Sequence, residues 1–186
     1  MNPAGKLSRR RFLRLSAAAL VLPSAVLSVP AQARTFFNHP ERQLNFFNTH
    51  TNEIMGGTYW QRGRYNPSIL RGFCYILRDF RAEESCRIDP KLFDTLFALQ
   101  ARLQDFSTID VISGYRSQAT NLWLRRTHTG VAKDSYHTKG QAIDIRVPGV
   151  PIDYVHRAAL SLQAGGVGYY PDSDFVHIDT GPVRTW

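Results

Sequence analysis

His137, Asp144 and His177 are the residues whose types and spacing best suit chemistry. They lie in S-Y-H-T-K-G-Q-A-I-D-I-R (Ser135 to Arg146) and S-D-F-V-H-I-D-T-G (Ser173 to Gly181). Two imidazoles and one carboxylate are an ordinary ligand set for catalytic zinc, with the fourth position left to water. Water activated in this way is a hydrolytic nucleophile at neutral pH. The expectation is one zinc ion per chain.

Each of the three also has a plainer reading. Asp144 sits mid-strand among apolar residues, where an unpaired carboxylate is costly. Its partner is either a metal or Arg146, two residues on and on the same strand face. His177, between Val176 and Ile178, taken alone is a satisfied core histidine. What favours the metal is the conjunction: a histidine seven positions before a strand aspartate, and a second histidine on a later short strand that can pair with it.

A hydrolytic site also needs a base. Asp174 stands three residues before His177 and Asp179 two after it. Strand alternation puts Asp179 on the face of His177 and Asp174 on the opposite one; if the strand begins only at Phe175, Asp174 belongs to the turn and can swing toward the metal water; either residue otherwise caps a turn. Arg116, in S-G-Y-R-S directly after a strand, would hold a substrate carboxylate or stabilise an oxyanion, or else solvate a helix N-terminal turn. Tyr136 and Tyr169 either line a cleft or pack. His39, His128 and His156 have no ligand-like spacing.

The elements that must position these groups can be read along the chain. Leu44–Asn48 and Ile54–Trp60 flank Thr49–Glu53 as a hairpin. Asn66-Pro67-Ser68 opens a helix with apolar Ile69, Leu70, Phe73, Ile76, Leu77 and Phe80, and Asp89-Pro90 opens a second with Leu92, Phe93, Leu96, Phe97, Leu99 and Leu103. A strand over 108–112, a helix over 117–126, a strand over 141–147, a helix from Pro151 to Gly165, and strands over 167–170 and 175–179 complete the expectation. The fold class predicted is α+β: a small antiparallel sheet carrying the zinc site, flanked by helices.

Residues 1–33 read as an export signal. Arg9-Arg10-Arg11 is a twin-arginine run, an apolar stretch follows from Leu15 to Val29, and Ala31-Gln32-Ala33 offers a small-x-small cleavage pattern. The alternative is an anchor that stays attached. The 186 residues carry 23 Lys and Arg against 15 Asp and Glu; five of the basic residues lie in 1–33, so 34–186 carries 18 against 15, a net +3. That suits a polyanionic envelope and is too little to argue for nucleic acid. Residues 34–186 are expected to form one domain, in the periplasm. Cys74 and Cys86 either form a disulfide or are two thiols placed by packing; sequence alone does not give the separation that a bridge requires.

At these residues the chain resembles a known group. S-x-H-x-x-G-x-A-x-D (Ser135 to Asp144) and D-x-x-H (Asp174 to His177) are similar to the zinc D-Ala-D-Ala carboxypeptidase and endopeptidase family, in the lysostaphin/D-Ala-D-Ala-peptidase/hedgehog fold group. More narrowly, L-x-F-x-N-T-H-T (Leu44 to Thr51), I-S-G-Y-R-S (Ile112 to Ser117), G-x-A-I-D-I-R (Gly140 to Arg146) and G-G-V-G-Y-Y (Gly165 to Tyr170) resemble the twin-arginine-exported murein endopeptidases of the YcbK or MepK type. The resemblance implies zinc on His137, Asp144 and His177, and Asp174 as the base where many relatives carry Glu, with Asp179 as the fallback. It also implies Arg116 near the scissile carbonyl. Its implied substrate is the peptide cross-link between peptidoglycan stems, diaminopimelate to diaminopimelate before D-Ala to diaminopimelate, with the twin-arginine translocase as export partner. Two other functions fit the same residues: a carboxypeptidase trimming stem peptides, and a non-catalytic peptidoglycan-binding module with structural zinc. Oligomeric state is not legible.

Overall fold

The computed structural model describes residues 39–186. The export-signal reading of 1–33 lies outside the described residues. Among the described residues no helix is long and apolar enough to cross a membrane.

Eight strands of the described residues form one mixed sheet: β1 (Glu41–Asn48), β2 (Ile54–Gln61), β3 (Arg64–Tyr65), β4 (Ile109–Ser113), β5 (Ala142–Arg146), β6 (Gly166–Tyr170), β7 (Phe175–Asp179) and β8 (Arg184–Thr185). Their order is β3-β2-β1-β4-β5-β7-β6-β8. The expected small antiparallel sheet is therefore corrected. The sheet has eight strands rather than the six expected, and β1–β4 and β6–β8 pair in parallel. The parallel pairs escape local reading because one needs a long crossover and the other rests on a two-residue strand.

Among the described residues the four α-helices are α1 (Pro67–Ile76), α2 (Pro90–Leu103), α3 (Gln118–Thr127) and α4 (Ile152–Leu162). Three begin with a side-chain cap. Asn66 accepts from the Ser68 and Ile69 amides, Asp89 from Lys91 and Ser117 from Thr120. Proline at the first position of α1 and α2 gives up a donor with no partner there anyway.

The core gathers on one face of the sheet. Leu44, Phe46 and Tyr59 from β1 and β2 meet Phe73 of α1 and Phe93 of α2 there, with Phe46 edge-on to Phe73 at 5.0 Å. Ile143, Ile145, Val176, Ile178 and Val167 extend the same core toward α4. Burying these side chains, each about 1.5–3 kcal/mol, fixes the strand registers, since a one-residue slip would reverse every face. The other face of β4-β5-β7-β6 carries Asp110, Asp144, Arg146, Phe175, His177 and Asp179, and there the polar chemistry collects.

Candidate active site

Antiparallel pairing of β5 with β7 sets Asp144 directly opposite His177. His137 arrives from a 3-10 turn, Tyr136–Lys139, that ends at Gly140 with φ +64°. That left-handed conformation favours glycine. Space demands it too, since a Cβ at Gly140 would lie 2.5 Å from the Arg87 carbonyl oxygen.

Three donor atoms face one another across the pairing. Asp144 Oδ1 is 2.8 Å from His177 Nδ1 and 3.2 Å from His137 Nε2, and the two nitrogens are 3.1 Å apart. All three residues are buried. The far nitrogen of each ring is committed. His137 Nδ1 lies 2.7 Å from the Gly114 carbonyl oxygen, which only accepts, and His177 Nε2 lies 3.1 Å from Asp179 Oδ2. With the protons on those outer nitrogens, the inner two would present lone pairs to each other and to a carboxylate. Three lone pairs converging in a buried space ask for a cation. The spacing suits one, because ligands about 2.0–2.1 Å from a tetrahedral zinc are about 3.3 Å apart. His137, Asp144 and His177 are the group of metal-binding side chains that the described residues bring together in this way.

Burial and mutual attraction set the charges of the three side chains. Burial holds the His137 pKa below its ordinary value, outweighing the pull of Asp144. Burial also acts against charge on His177, but hydrogen bonds to Asp144 and Asp179 prevail and leave its pKa raised. For Asp144 burial would raise the carboxyl pKa; attraction to a protonated His137 and the hydrogen bonds that protonated His137 and His177 would donate override it, leaving the carboxyl well below the usual range.

The structure separates the two candidate bases. Asp179 is fully buried, bonded to His177 Nε2, to the Gly166 and Gly181 amides and to both Nη atoms of Arg184. It stands behind the His177 ring, on the side away from Asp144. Asp174, at φ +51° in the turn before β7, keeps a side chain that is 60% exposed and pairs with Arg146 Nη1 at 3.1 Å. Arg146 also holds Asp110 at 3.2 Å. Of the two partners weighed for Asp144, Arg146 is not in contact with it: the arginine on Asp144 is Arg116, whose Nη2 meets Oδ2 at 2.7 Å while its Nε holds Ser113 Oγ at 2.9 Å. Arg116 Nη1 has no partner among the described residues. A bulge in the β4–β5 pairing places Ser113 opposite Asp144 and brings this arginine in.

Tyr136 lies at the edge of the site, its ring 4.9 Å from the Arg184 guanidinium. Tyr169 points to the opposite face and stacks on His156 at 4.6 Å; Tyr170, its neighbour, shares the face of His177. Cys74 and Cys86 are free thiols. The Asn48–Thr51 stretch is structural. Asn48 bonds the Ile76 carbonyl and caps its own turn, and His50 bonds the Ile112 carbonyl at 2.9 Å and stacks on Phe80. Residues 182–186 escaped the sequence reading, yet Trp186 packs its ring 5.2 Å from that of His177. A two-residue strand has no periodicity to detect.

A family profile described as Peptidase_M15_2, peptidoglycan L,D-endopeptidase MepK, matches residues 37–186. The chain belongs to this peptidase family. It is 45% identical over 179 residues to the peptidoglycan L,D-endopeptidase MepK of Escherichia coli (strain K12), covering 96% of this chain and 97% of that one. The Shigella flexneri protein of the same name matches to the same extent. The probable peptidoglycan L,D-endopeptidase MepK of Haemophilus influenzae is 42% identical over 183 residues, covering 96% and 95%. This M15_2 peptidase thus carries its buried His–Asp–His group within the family's matched region.

Proposed function

We propose that this M15_2 peptidase is a zinc-dependent peptidoglycan endopeptidase that hydrolyses the L,D link between two meso-diaminopimelate residues of neighbouring stems. The observation that carries the metal assignment is the triangle of lone pairs on His137 Nε2, His177 Nδ1 and Asp144 Oδ1. The L,D name of the relatives favours the diaminopimelate pair, because that amide joins an L centre to a D centre whereas D-Ala to diaminopimelate joins two D centres. Such a substrate lies outside the cytoplasmic membrane, consistent with periplasmic residence and with twin-arginine export through residues 1–33.

His137, Asp144 and His177 would hold the ion, which when bound supplies a Lewis acid for the scissile carbonyl and lowers the pKa of a water molecule toward about 7. Asp174 takes the proton of the attacking water on Oδ1, since Oδ2 is held by Arg146. Water oxygen bonds to the carbonyl carbon, the C–N bond breaks, and Asp174 returns the proton to the leaving amine. Arg116 does two jobs. Its Nη2 holds Asp144 in place, and its Nη1 takes the carboxylate that every diaminopimelate D centre carries beside the scissile nitrogen. Arg184 and Asp179 fix the tautomer of His177.

Digestion of purified sacculi, with the muropeptides resolved by mass, tests the reading. Conversion of diaminopimelate-linked dimers to monomers is the expected result. Intact dimers with shortened stems would replace it with the carboxypeptidase, and unchanged muropeptides would leave the binding module.

A further inference from the structure

Trp186 and Arg116 flank the metal triangle on opposite sides. The strand order β4-β5-β7-β6-β8 puts the Arg116 loop, which follows β4, beyond one edge of the β5–β7 pair and Trp186, which follows β8, beyond the other. A substrate whose scissile bond lies at the triangle therefore extends one partner toward Arg116 and the other toward Trp186.

The Trp186 side is built. The Tyr169 amide donates to the Trp186 carbonyl at 3.0 Å and the Trp186 amide to Val167 at 3.4 Å. Gly168, paired with His177, lets the indole lie down on the strand; a Cβ there would come within 2.7 Å of the indole Cε2. The indole Nε1 donates to Tyr170 Oη at 2.7 Å, and Tyr170 stacks on Phe175 at 4.5 Å. With its N–H satisfied and its orientation fixed, Trp186 still leaves 49% of its surface exposed. An aromatic held rigidly and half open beside a buried group offers apolar area to a ligand at low entropic cost.

We propose that Trp186 is a specificity-determining residue, with Tyr170 and Phe175 forming the rest of an aromatic ledge that receives the side chain on the acyl side of the scissile bond. The inference rests on the endopeptidase reading and on Arg116 taking the carboxylate of the amine side. In a link between two diaminopimelates the acyl-side residue carries three methylenes between its two centres, which the ledge covers. In a link from D-Ala that residue carries one methyl group, too short to reach. Covering two or three methylenes is worth about thirtyfold in kcat/KM at ordinary transfer values. Trp186 thereby selects the bond, and Arg116 anchors it.

The test compares wild type, Trp186→Ala and Trp186→Phe, zinc-loaded, on purified dimers of the two cross-link types. The D-Ala-linked dimer is scored as a substrate or, where it is not turned over, as a competitive inhibitor. Zinc content and thermal midpoint are measured alongside. The expected result is a loss of about thirtyfold on the diaminopimelate-linked dimer for Trp186→Ala, mostly in KM. The same variant should change the D-Ala-linked dimer less than threefold and keep one zinc, and Trp186→Phe should retain most of the selectivity. Equal losses on both dimers, loss of zinc, or no change on either would overturn the proposal. A wild type that cleaves neither dimer would instead remove the endopeptidase reading, and this inference with it.

Discussion

His177 Nε2 lies 3.1 Å from Asp179 Oδ2, and a proton held there leaves the nitrogen facing Asp144 and His137 bare. Asp179 holds this role because its own environment keeps it charged. Burial acts to raise its carboxyl pKa, but hydrogen bonds from His177, Arg184 and the Gly181 amide outweigh it and leave the group well below the usual range. Under the proposed function it orients His177 and does not touch the reacting atoms.

Asp179→Asn presents an amide that can rotate its NH2 toward His177 and favour the wrong tautomer. The expected outcome is a loss of about 10–100-fold in zinc affinity, measured by competition with a chromophoric chelator. Affinity equal to wild type would show that Asp179 does not set the ring.

Asp174→Asn should behave differently. The residue is exposed and its partner Arg146 keeps Asp110, so thermal stability should stay within about 0.5 kcal/mol of wild type. Zinc content should be unchanged, while kcat falls about 10²–10⁴-fold, the usual contribution of a positioned base. Steady-state kinetics on cross-linked dimers read the difference; full activity with full zinc would remove Asp174 as the base.

Arg116→Lys separates charge from shape. Lysine keeps the positive charge but not the fork that holds Ser113 Oγ and Asp144 Oδ2 together. Activity should drop at least about tenfold, in line with the loss of one charge-assisted hydrogen bond. Kinetics indistinguishable from wild type would mean that a point charge suffices there.

The loop carrying Arg116 is tied down through Asp79, which accepts from the Ser117 amide at 2.9 Å and the Arg81 amide at 3.1 Å. Burial would raise the Asp79 pKa, but hydrogen bonds from Thr120, Ser117 and Arg81 prevail and lower it. A folded pKa below the unfolded one means that ionised Asp79 contributes stability above the ordinary carboxyl range, about pH 3.9, and that this contribution fades as pH falls through the folded value. Asp79→Asn should therefore lower the thermal midpoint at pH 7, with a difference from wild type that narrows as pH falls below about 4. A gap independent of pH would assign the effect to packing.

The meeting of His137, Asp144 and His177 was legible in the sequence because its signals are local: His137 and Asp144 share one short motif, and His177 sits on a strand whose alternation is plain. Partners that depend on register were not legible. Arg116 reaches Asp144 only through the bulge opposite Ser113, and Arg146, two residues from Asp144 on the same face, was the nearer candidate on alternation alone. The helices were readable from their caps and apolar spacing, whereas the parallel pairs β1–β4 and β6–β8 join segments that no local pattern links. Trp186 stayed hidden for the same reason, since its place beside His177 follows from β8 lying along β6 and from the absent side chain of Gly168.

The most direct test of the central claim is chelator removal of metal from the purified protein, followed by titration with zinc while hydrolysis of a diaminopimelate-linked dimer is followed by mass. The account predicts that activity disappears with the metal and returns fully at one equivalent of zinc, and that His177→Ala shows neither binding nor recovery. Undiminished hydrolysis by the metal-free protein would contradict it.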